Sequence, residues 1–228
     1  MTVAGAGDAA TVWSTVKGSG KILQWSLFGI VTLLLLVSGI HPYDRLTWLL
    51  ETGWVPVGLL IIAASTRCFP LSPLLYVLLS IHAMLLIQGG YYTYERVPLG
   101  DWLKDWFGFS RNHYDRIGHF FQGFVPAILL RELLVRKTAL EKGSLLFILV
   151  CACCLAFSSL FELLEWLAAL LLGSNADAFL ATQGDLWDTQ WDMFMALVGS
   201  MSAQLLLGGL HDRQLAELTT RPPAALGG

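Results

Sequence analysis

The sequence predicts an all-α, polytopic membrane protein of about six transmembrane helices with one short interfacial helix. Two observations carry this. The 228 residues are 55% hydrophobic and only 14% charged, with a mean hydropathy of +0.62, too apolar for an ordinary soluble domain and too long for a single anchor. Apolar runs long enough to cross a bilayer also recur along the chain, separated by polar, Gly- and Pro-containing breaks. A net charge of -3 offers no basic face for nucleic acid, so membrane lipid is the expected surrounding partner.

Residues 1–20 are small and polar, with Gly5, Gly7, Gly18 and Gly20, and read as a flexible cytoplasmic N-terminus ahead of a single helical domain over 21–212. The first span is expected over 22–40, ended by His41-Pro42-Tyr43-Asp44. A second, over 46–65, carries Glu51, Gly53 and Pro56 and is expected to be only partly embedded. The third runs over 71–87 and is expected to stop at Gln88-Gly89-Gly90. An aromatic connection follows, in which Trp102, Leu103, Trp106 and Phe107 share one helical face, so 99–107 reads as an interfacial helix. The remaining spans are placed at 116–134, 144–172 and 191–210, and 213–228 reads as a cytoplasmic tail.

Nine of the fourteen Lys and Arg residues fall on the side holding both termini, and the connection between the last two spans has none. The bias places both termini in the cytoplasm. Glu162 and Glu165 then lie roughly 27 to 32 Å along the fifth span, toward the outer leaflet. Asp115, His119, Asp188 and Asp192 enter the same layer from helices that start outside, and His82 lies in the outer half of the third span.

The spacings add to this. Asp115 with His119 and Asp188 with Asp192 are i,i+4 pairs, and Glu162 with Glu165 is i,i+3, so each pair can point inward together. An ionised carboxylate in hydrocarbon costs at least a few kcal/mol, so such groups imply a partner, a cavity or a bound cation. Carboxylates and imidazoles on facing helices are how bundle cores hold metals, which makes Asp115, His119, Glu162, Glu165, Asp188 and Asp192 the expected ligands of a divalent ion. His113 and Glu165 are the candidates for general base, with His82, Glu95, Arg116 and Asp185 as supporting groups. The corresponding function is metal-dependent hydrolysis or modification of a lipid-like substrate; the alternatives are a proton or cation carrier, and a structural network in which Arg116 neutralises Asp115 or Glu165 with no metal. Asp188 also reads as a helix N-cap.

Cys151, Cys153 and Cys154 contain a C-x-x-C spacing but fall within an apolar span, where they read as packing residues, and Cys68 is expected to be reduced. Gly199-Ser200 and Gly208-Gly209 read as points of close helix approach. P-loop, dinucleotide-fold and nucleophile-elbow motifs are absent.

The segments Arg-Asn-His-Tyr-Asp-Arg-Ile-Gly-His-Phe-Phe-Gln-Gly-Phe at 111–124, Ser-Ser-Leu-Phe-Glu-Leu-Leu-Glu-Trp at 158–166, Gly-Asp-Leu-Trp-Asp-Thr-Gln-Trp-Asp-Met at 184–193 and Tyr-Thr-Tyr-Glu-Arg-Val-Pro at 92–98 resemble the YjdF-like family of bacterial inner-membrane proteins. The Asp-x-x-x-His-Phe and Asp-x-x-x-Asp pieces are more distantly similar to VanZ-like proteins, which are linked to glycopeptide resistance. The resemblance implies a multi-pass inner-membrane protein and adds no substrate.

Overall fold

The computed structural model describes residues 6–173 and 177–219. Expectations for residues 1–5 and 220–228 fall outside that range. Among the described residues every regular element is helical and none is a strand: α1 (Ala6–Ser38), α2 (Arg45–Thr52), α3 (Trp54–Ser65), α4 (Pro73–Tyr92), a 3-10 turn at Tyr94–Arg96, α5 (Pro98–Phe107), α6 (Tyr114–Lys137), α7 (Ser144–Leu172), α8 (Asp177–Leu180) and α9 (Asp188–Thr219). Five stretches are long and apolar enough to cross a membrane, namely Lys21–Ser38, Arg45–Ser65, Pro73–Tyr92, Ser144–Leu172 and Asp188–Leu218. The sixth long helix, α6, is too rich in ionisable residues to qualify by composition, yet it lies at the centre of the bundle, packed on α4, α7 and α9. A helix shielded by protein on several sides does not have to be apolar.

Several boundaries differ from expectation for local reasons. The expected leader is helical from Ala6 onward. The second span is divided at Gly53. A Cβ there would come within 2.8 Å of the Leu49 carbonyl, and Pro56, in the first turn of α3, needs no backbone donor. The break lets α2 pack on the end of α4 while α3 runs on separately. Asp44 caps α2 by accepting the Thr47 N–H at 2.7 Å, and the Trp48 indole donates to the Ser38 hydroxyl at 2.9 Å, tying α2 to α1. Ser72 and Pro73 open α4 in the usual order of cap and first-turn proline.

Gly89 and Gly90 do not stop α4; they are contact points. A Cβ on Gly89 would lie 2.2 Å from the Tyr94 ring, and one on Gly90 would lie 2.8 Å from Thr52 Cγ2. The helix ends only at Thr93, whose φ of 64° turns the chain into the 3-10 segment. α5 presents Trp102, Trp106 and Phe107 outward at 61%, 80% and 65% exposure, as a helix lying on the interface would, and Gly108 closes it in the left-handed conformation.

The core joins Leu75 and Leu78 of α4, Val125 and Ile128 of α6, Val150 of α7 and Ala203 of α9. The α6–α9 seam is tighter still. A Cβ on Gly123 would meet the Ala196 carbonyl at 1.8 Å, and one on Gly199 would meet the Phe120 carbonyl at 2.0 Å, so backbones touch where side chains would normally intervene. Gly208 and Gly209, expected to act likewise, have nothing within 4 Å. Cys151 and Cys154 are buried, free thiols; Cys154 donates to the Gly123 carbonyl at 3.6 Å and Cys151 accepts from Gln204 at 3.3 Å.

At the end of the bundle where α6 finishes, Glu132 is wholly buried and wholly satisfied. It accepts from the Ser72 N–H at 3.1 Å, from Arg136 at 2.6 Å and from His211 Nε2 at 3.1 Å, while Arg131 donates to His211 Nδ1 at 3.1 Å and to Asp212 at 2.8 Å. A donor at Nδ1 and an acceptor at Nε2 fix the neutral imidazole with its hydrogen on Nε2. His211 lies beyond the expected end of the last span, which α9 passes by a further two turns.

Substituting Gly199 by Ala should lower the midpoint of a detergent thermal melt, since overpacking costs about 1–3 kcal/mol and each kcal/mol is worth roughly 2–4 °C at this chain length. Gly208→Ala, with open space around it, should leave the midpoint in place.

Candidate metal centre

The centre is assembled by three helices. α6 contributes Asp115 and His119, one turn apart; α9 contributes Asp192; α7 contributes Glu162. One ligand atom from each of Asp115, His119 and Asp192 lies within 4.8 Å of the others, and the three residues are 7%, 5% and 2% exposed. His119 Nε2 is 3.6 Å from Asp115 Oδ1, and His119 Nδ1 is 3.8 Å from Glu162 Oε1, separations too long for hydrogen bonds.

Gln122, on the same helix, accepts from His119 Nδ1 at 3.0 Å. A carbonyl acceptor there places the hydrogen on Nδ1, the nitrogen nearer Glu162, and leaves the Nε2 lone pair on the side of Asp115, the orientation a metal-ligating histidine receives from a neighbouring acceptor. Asp192 Oδ1, Glu162 Oε1 and the Ser158 hydroxyl, one turn before Glu162 on α7, are buried with no hydrogen-bond partner. Buried oxygens of this kind are costly unless something binds them.

Among the described residues no Lys or Arg forms an ion pair with Asp115, Glu162 or Asp192. The nearby arginines are taken by other acids. Arg111 donates to Asp188 at 2.5 Å and to Asp185 at 3.4 Å, and Arg116 donates to Asp185 at 2.5 Å, lies 3.5 Å from Asp188 and stacks 5.2 Å above the Trp191 ring. Asp188, expected as a ligand, is therefore the anionic half of an arginine clamp. Asp185 and Arg116, expected as support, are also members of it. The clamp fixes the segment before α9, where Ala181 and Gln183 hold left-handed φ values of 48° and 49°, with Arg111 donating to the Ala181 carbonyl and Gln183 bridging both backbone groups of Asn112.

A cavity of about 410 Å³ opens beside the triad, between α2, α3, α4, α6 and α7. Its polar end is formed by Glu51, Tyr94, Asp115, His119, Gln122 and Glu165, with His82 farther along the α4 wall. Glu165 thus faces the cavity, one turn from Glu162 and within electrostatic reach of Glu162, Asp115, Glu51 and Asp192. Glu51 is an acid of this site that the sequence reading noted only as a blemish in its span. It is 4% exposed and hydrogen-bonded to Tyr94, whose ring is held against Gly89 and Gly118. Burial and the adjacent Glu51 carboxylate push the Tyr94 hydroxyl well above its ordinary range, so it remains a proton donor. Gln122 was the other omission. Its signal was the i,i+3 step from His119.

Two expected participants stand apart. His113 does not line the cavity; its ring packs edge-on to Phe109 at 4.7 Å, and partial burial with Arg116 and Arg111 beside it lowers its pKa. Glu95 pairs with Arg96 at 3.4 Å near the surface. Of the two candidate bases, Glu165 lines the cavity and His113 does not.

The profile described as "Predicted membrane protein (DUF2238)" matches residues 23–213, nearly the whole helical bundle. The chain belongs to this DUF2238 family. It is similar to the inner membrane protein YjdF of Escherichia coli strain K12, with 49% identity over 185 residues that cover 81% of this chain and 88% of that protein. No solved structure matches it. Family membership and the apolar helices make this chain a multi-pass inner-membrane protein, and the region matched by the DUF2238 profile contains every residue of the triad, the clamp and the cavity.

The Trp187 N–H and Arg116 hold the Asp185 carboxyl below the usual carboxylate range. A lowered folded-state pKa contributes stability above about pH 4 that is lost as the pH falls through the folded value. Asp185→Asn should therefore melt below wild type by a constant margin at pH 5 to 7, and the margin should close in melts taken below about pH 4.

Proposed function

We propose that this protein binds a divalent metal ion through Asp115, His119 and Asp192, with Glu162 as a fourth group, and uses it to hydrolyse or modify a lipid-like substrate. The carrying observation is that two carboxylates beside a buried histidine have unpartnered oxygens and, among the described residues, no Lys or Arg paired to them, while the arginines within reach are already engaged. Two acids and an imidazole are a common donor set for divalent ions of the first transition row and for zinc, and a divalent charge offsets the repulsion among the acids. An ion held there would polarise an ester or phosphoryl oxygen and lower the pKa of a bound water. The chain supplies the rest. Gln122 fixes the His119 tautomer, Glu165 accepts a proton from the attacking water, and the Tyr94 hydroxyl, its one hydrogen given to Glu51, holds that acid at the far side of the polar end.

The distribution of Lys and Arg supports an orientation with both termini in the cytoplasm and the triad near the outer surface. A cation or proton carrier would use the same acids. The i,i+4 pairing of Asp115 with His119 on one helix, locked by Gln122, favours a fixed ligand site over one that must release its ion.

Purified protein dialysed against Mn2+ or Zn2+ should retain about one metal ion per chain, and His119→Ala and Asp192→Asn should each lose it by at least about tenfold in affinity, roughly 1.4 kcal/mol or more. Metal should raise the melting midpoint of wild type only. In the metal-free state Asp192→Asn should melt no lower than wild type, because it removes one charge from a repelling cluster. A metal-free wild type with an Asp192→Asn variant that melts lower would replace this reading with a structural polar network.

A further inference from the structure

We infer that the cavity beside the triad seats an acyl chain of a phospholipid, entering sideways from the bilayer between α3 and α7, with the phosphodiester at the triad. The inference rests on the metal-site reading for the head group and on the cavity alone for the chain.

Beyond its polar end the cavity is apolar, walled by Trp54, Val57 and Ile61 of α3, Pro126 and Leu129 of α6 and Phe157 of α7. The α3 and α7 wall residues are also surface residues, with Trp54 48%, Val57 50%, Ile61 62% and Phe157 44% exposed. The same side chains thus line the cavity and face the hydrocarbon, so the space communicates with the acyl phase. α3 permits this opening. Severed from α2 at Gly53, it packs on α1, α2 and α4 and leaves the flank toward α7 without close helix packing.

The direction of the cavity agrees with this. From Asp115 to Leu129 it follows α6 for about 21 Å at 1.5 Å per residue, more than half of a hydrocarbon thickness of about 30 Å. Its polar groups are concentrated at one end, the end at which the chain leaves the bilayer into the α5 interfacial helix. An amphipathic molecule with its tail along Leu129 and Pro126 places its head beside Asp115 and His119. The acids there repel an anion by themselves, so an anionic phosphodiester is complementary only to the metal-loaded triad.

Gly58 gives a clean way to block the seat. It lines the cavity from α3, and a Cβ built on it meets nothing within 4 Å, so Gly58→Leu starts from open space and extends its side chain into the cavity.

The test uses full-length protein in liposomes containing phosphatidylglycerol with a photoreactive diazirine in one acyl chain, and crosslinked residues mapped by mass spectrometry. Wild type should be labelled at Pro126 and Leu129 on the inner wall, and Gly58→Leu should reduce that labelling about tenfold. Labelling at Leu170 and Leu171, exposed on the outer face of α7, should be unchanged in the variant. Mn2+ should increase inner-wall labelling in wild type but not in Asp192→Asn, and not when the same chain is carried by diacylglycerol, which lacks the phosphodiester.

Labelling confined to outer faces, or inner-wall labelling indifferent to Gly58→Leu, overturns the inference. An equal Mn2+ response with diacylglycerol overturns the head-group assignment. Inner-wall labelling blocked by Gly58→Leu in a protein that takes up no Mn2+ removes the metal reading and keeps the acyl seat. No inner-wall labelling in a protein that does take up Mn2+ overturns the lipid inference alone.

Discussion

The organising constraint is that an ionised group inside a helical membrane bundle has to be met by a partner, because neither lipid nor a packed core solvates it. The protein meets that constraint in two distinct ways and leaves one cluster of acids without a Lys or Arg partner among the described residues. Glu132 is matched by Arg136, a backbone N–H and a neutral histidine, leaving nothing unpaired. Asp185 and Asp188 are matched by Arg111 and Arg116. Asp115, Glu162 and Asp192 are matched by no Lys or Arg among the described residues, although Arg111 and Arg116 stand within electrostatic reach of Asp115. Two charge-paired clusters in the same bundle show that the chain has the means to neutralise buried acids. The imbalance at the triad is therefore a property of that location and not of the fold's general tolerance.

The balanced clusters also explain how the unbalanced one is kept in place. The arginine clamp ties the start of α6 to the segment entering α9, so the first turns of these two helices, which carry Asp115 and Asp192, cannot separate without breaking several charge-assisted hydrogen bonds. The Glu132 and His211 network joins the same two helices at their other ends. A pair of helices pinned at both ends and in backbone contact between them is a stiff frame, which suits ligands that must hold their separation against mutual repulsion.

The part of this legible in sequence was the part governed by helical periodicity and by alternation of span direction. Asp115 and His119 at i,i+4, Glu162 on an otherwise lipid-compatible helix, and Asp192 at the same depth were all recoverable because a side chain's face and level follow from its number. The choice between Asp188 and Asp192 was not. Both satisfy the spacing, and only the path of the 111–116 and 181–188 segments decides which acid meets the arginines. Gly89-Gly90 misled in the same manner, since glycine both ends helices and lets them touch, and Tyr94 settles the matter from outside the helix. Glu51 was obscured by the break at Gly53, and Glu132 and His211 by their distance of 79 positions in sequence. Where the determining neighbour is non-local, a residue's own spacing carries no information about it.

The position of the glycine seam shows why the triad lies where it does. Gly123 is one turn below His119, and Ala196, whose carbonyl it abuts, is one turn below Asp192. With backbones in contact at that level, short and medium side chains one turn above, an aspartate and a histidine, reach a common point that would otherwise need longer residues. Glu162, from the less closely packed α7, has the longer side chain of the two acid types. The lengths of the acids thus match the helix separations: aspartates on the touching pair, a glutamate from the third helix. Pro126 adds a further adjustment, because it removes one backbone donor from α6 just below the seam, on the stretch of helix that lines the cavity. On α6, Asp115 with His119, the seam glycine and the cavity wall therefore occupy consecutive turns, each constrained by the one beside it.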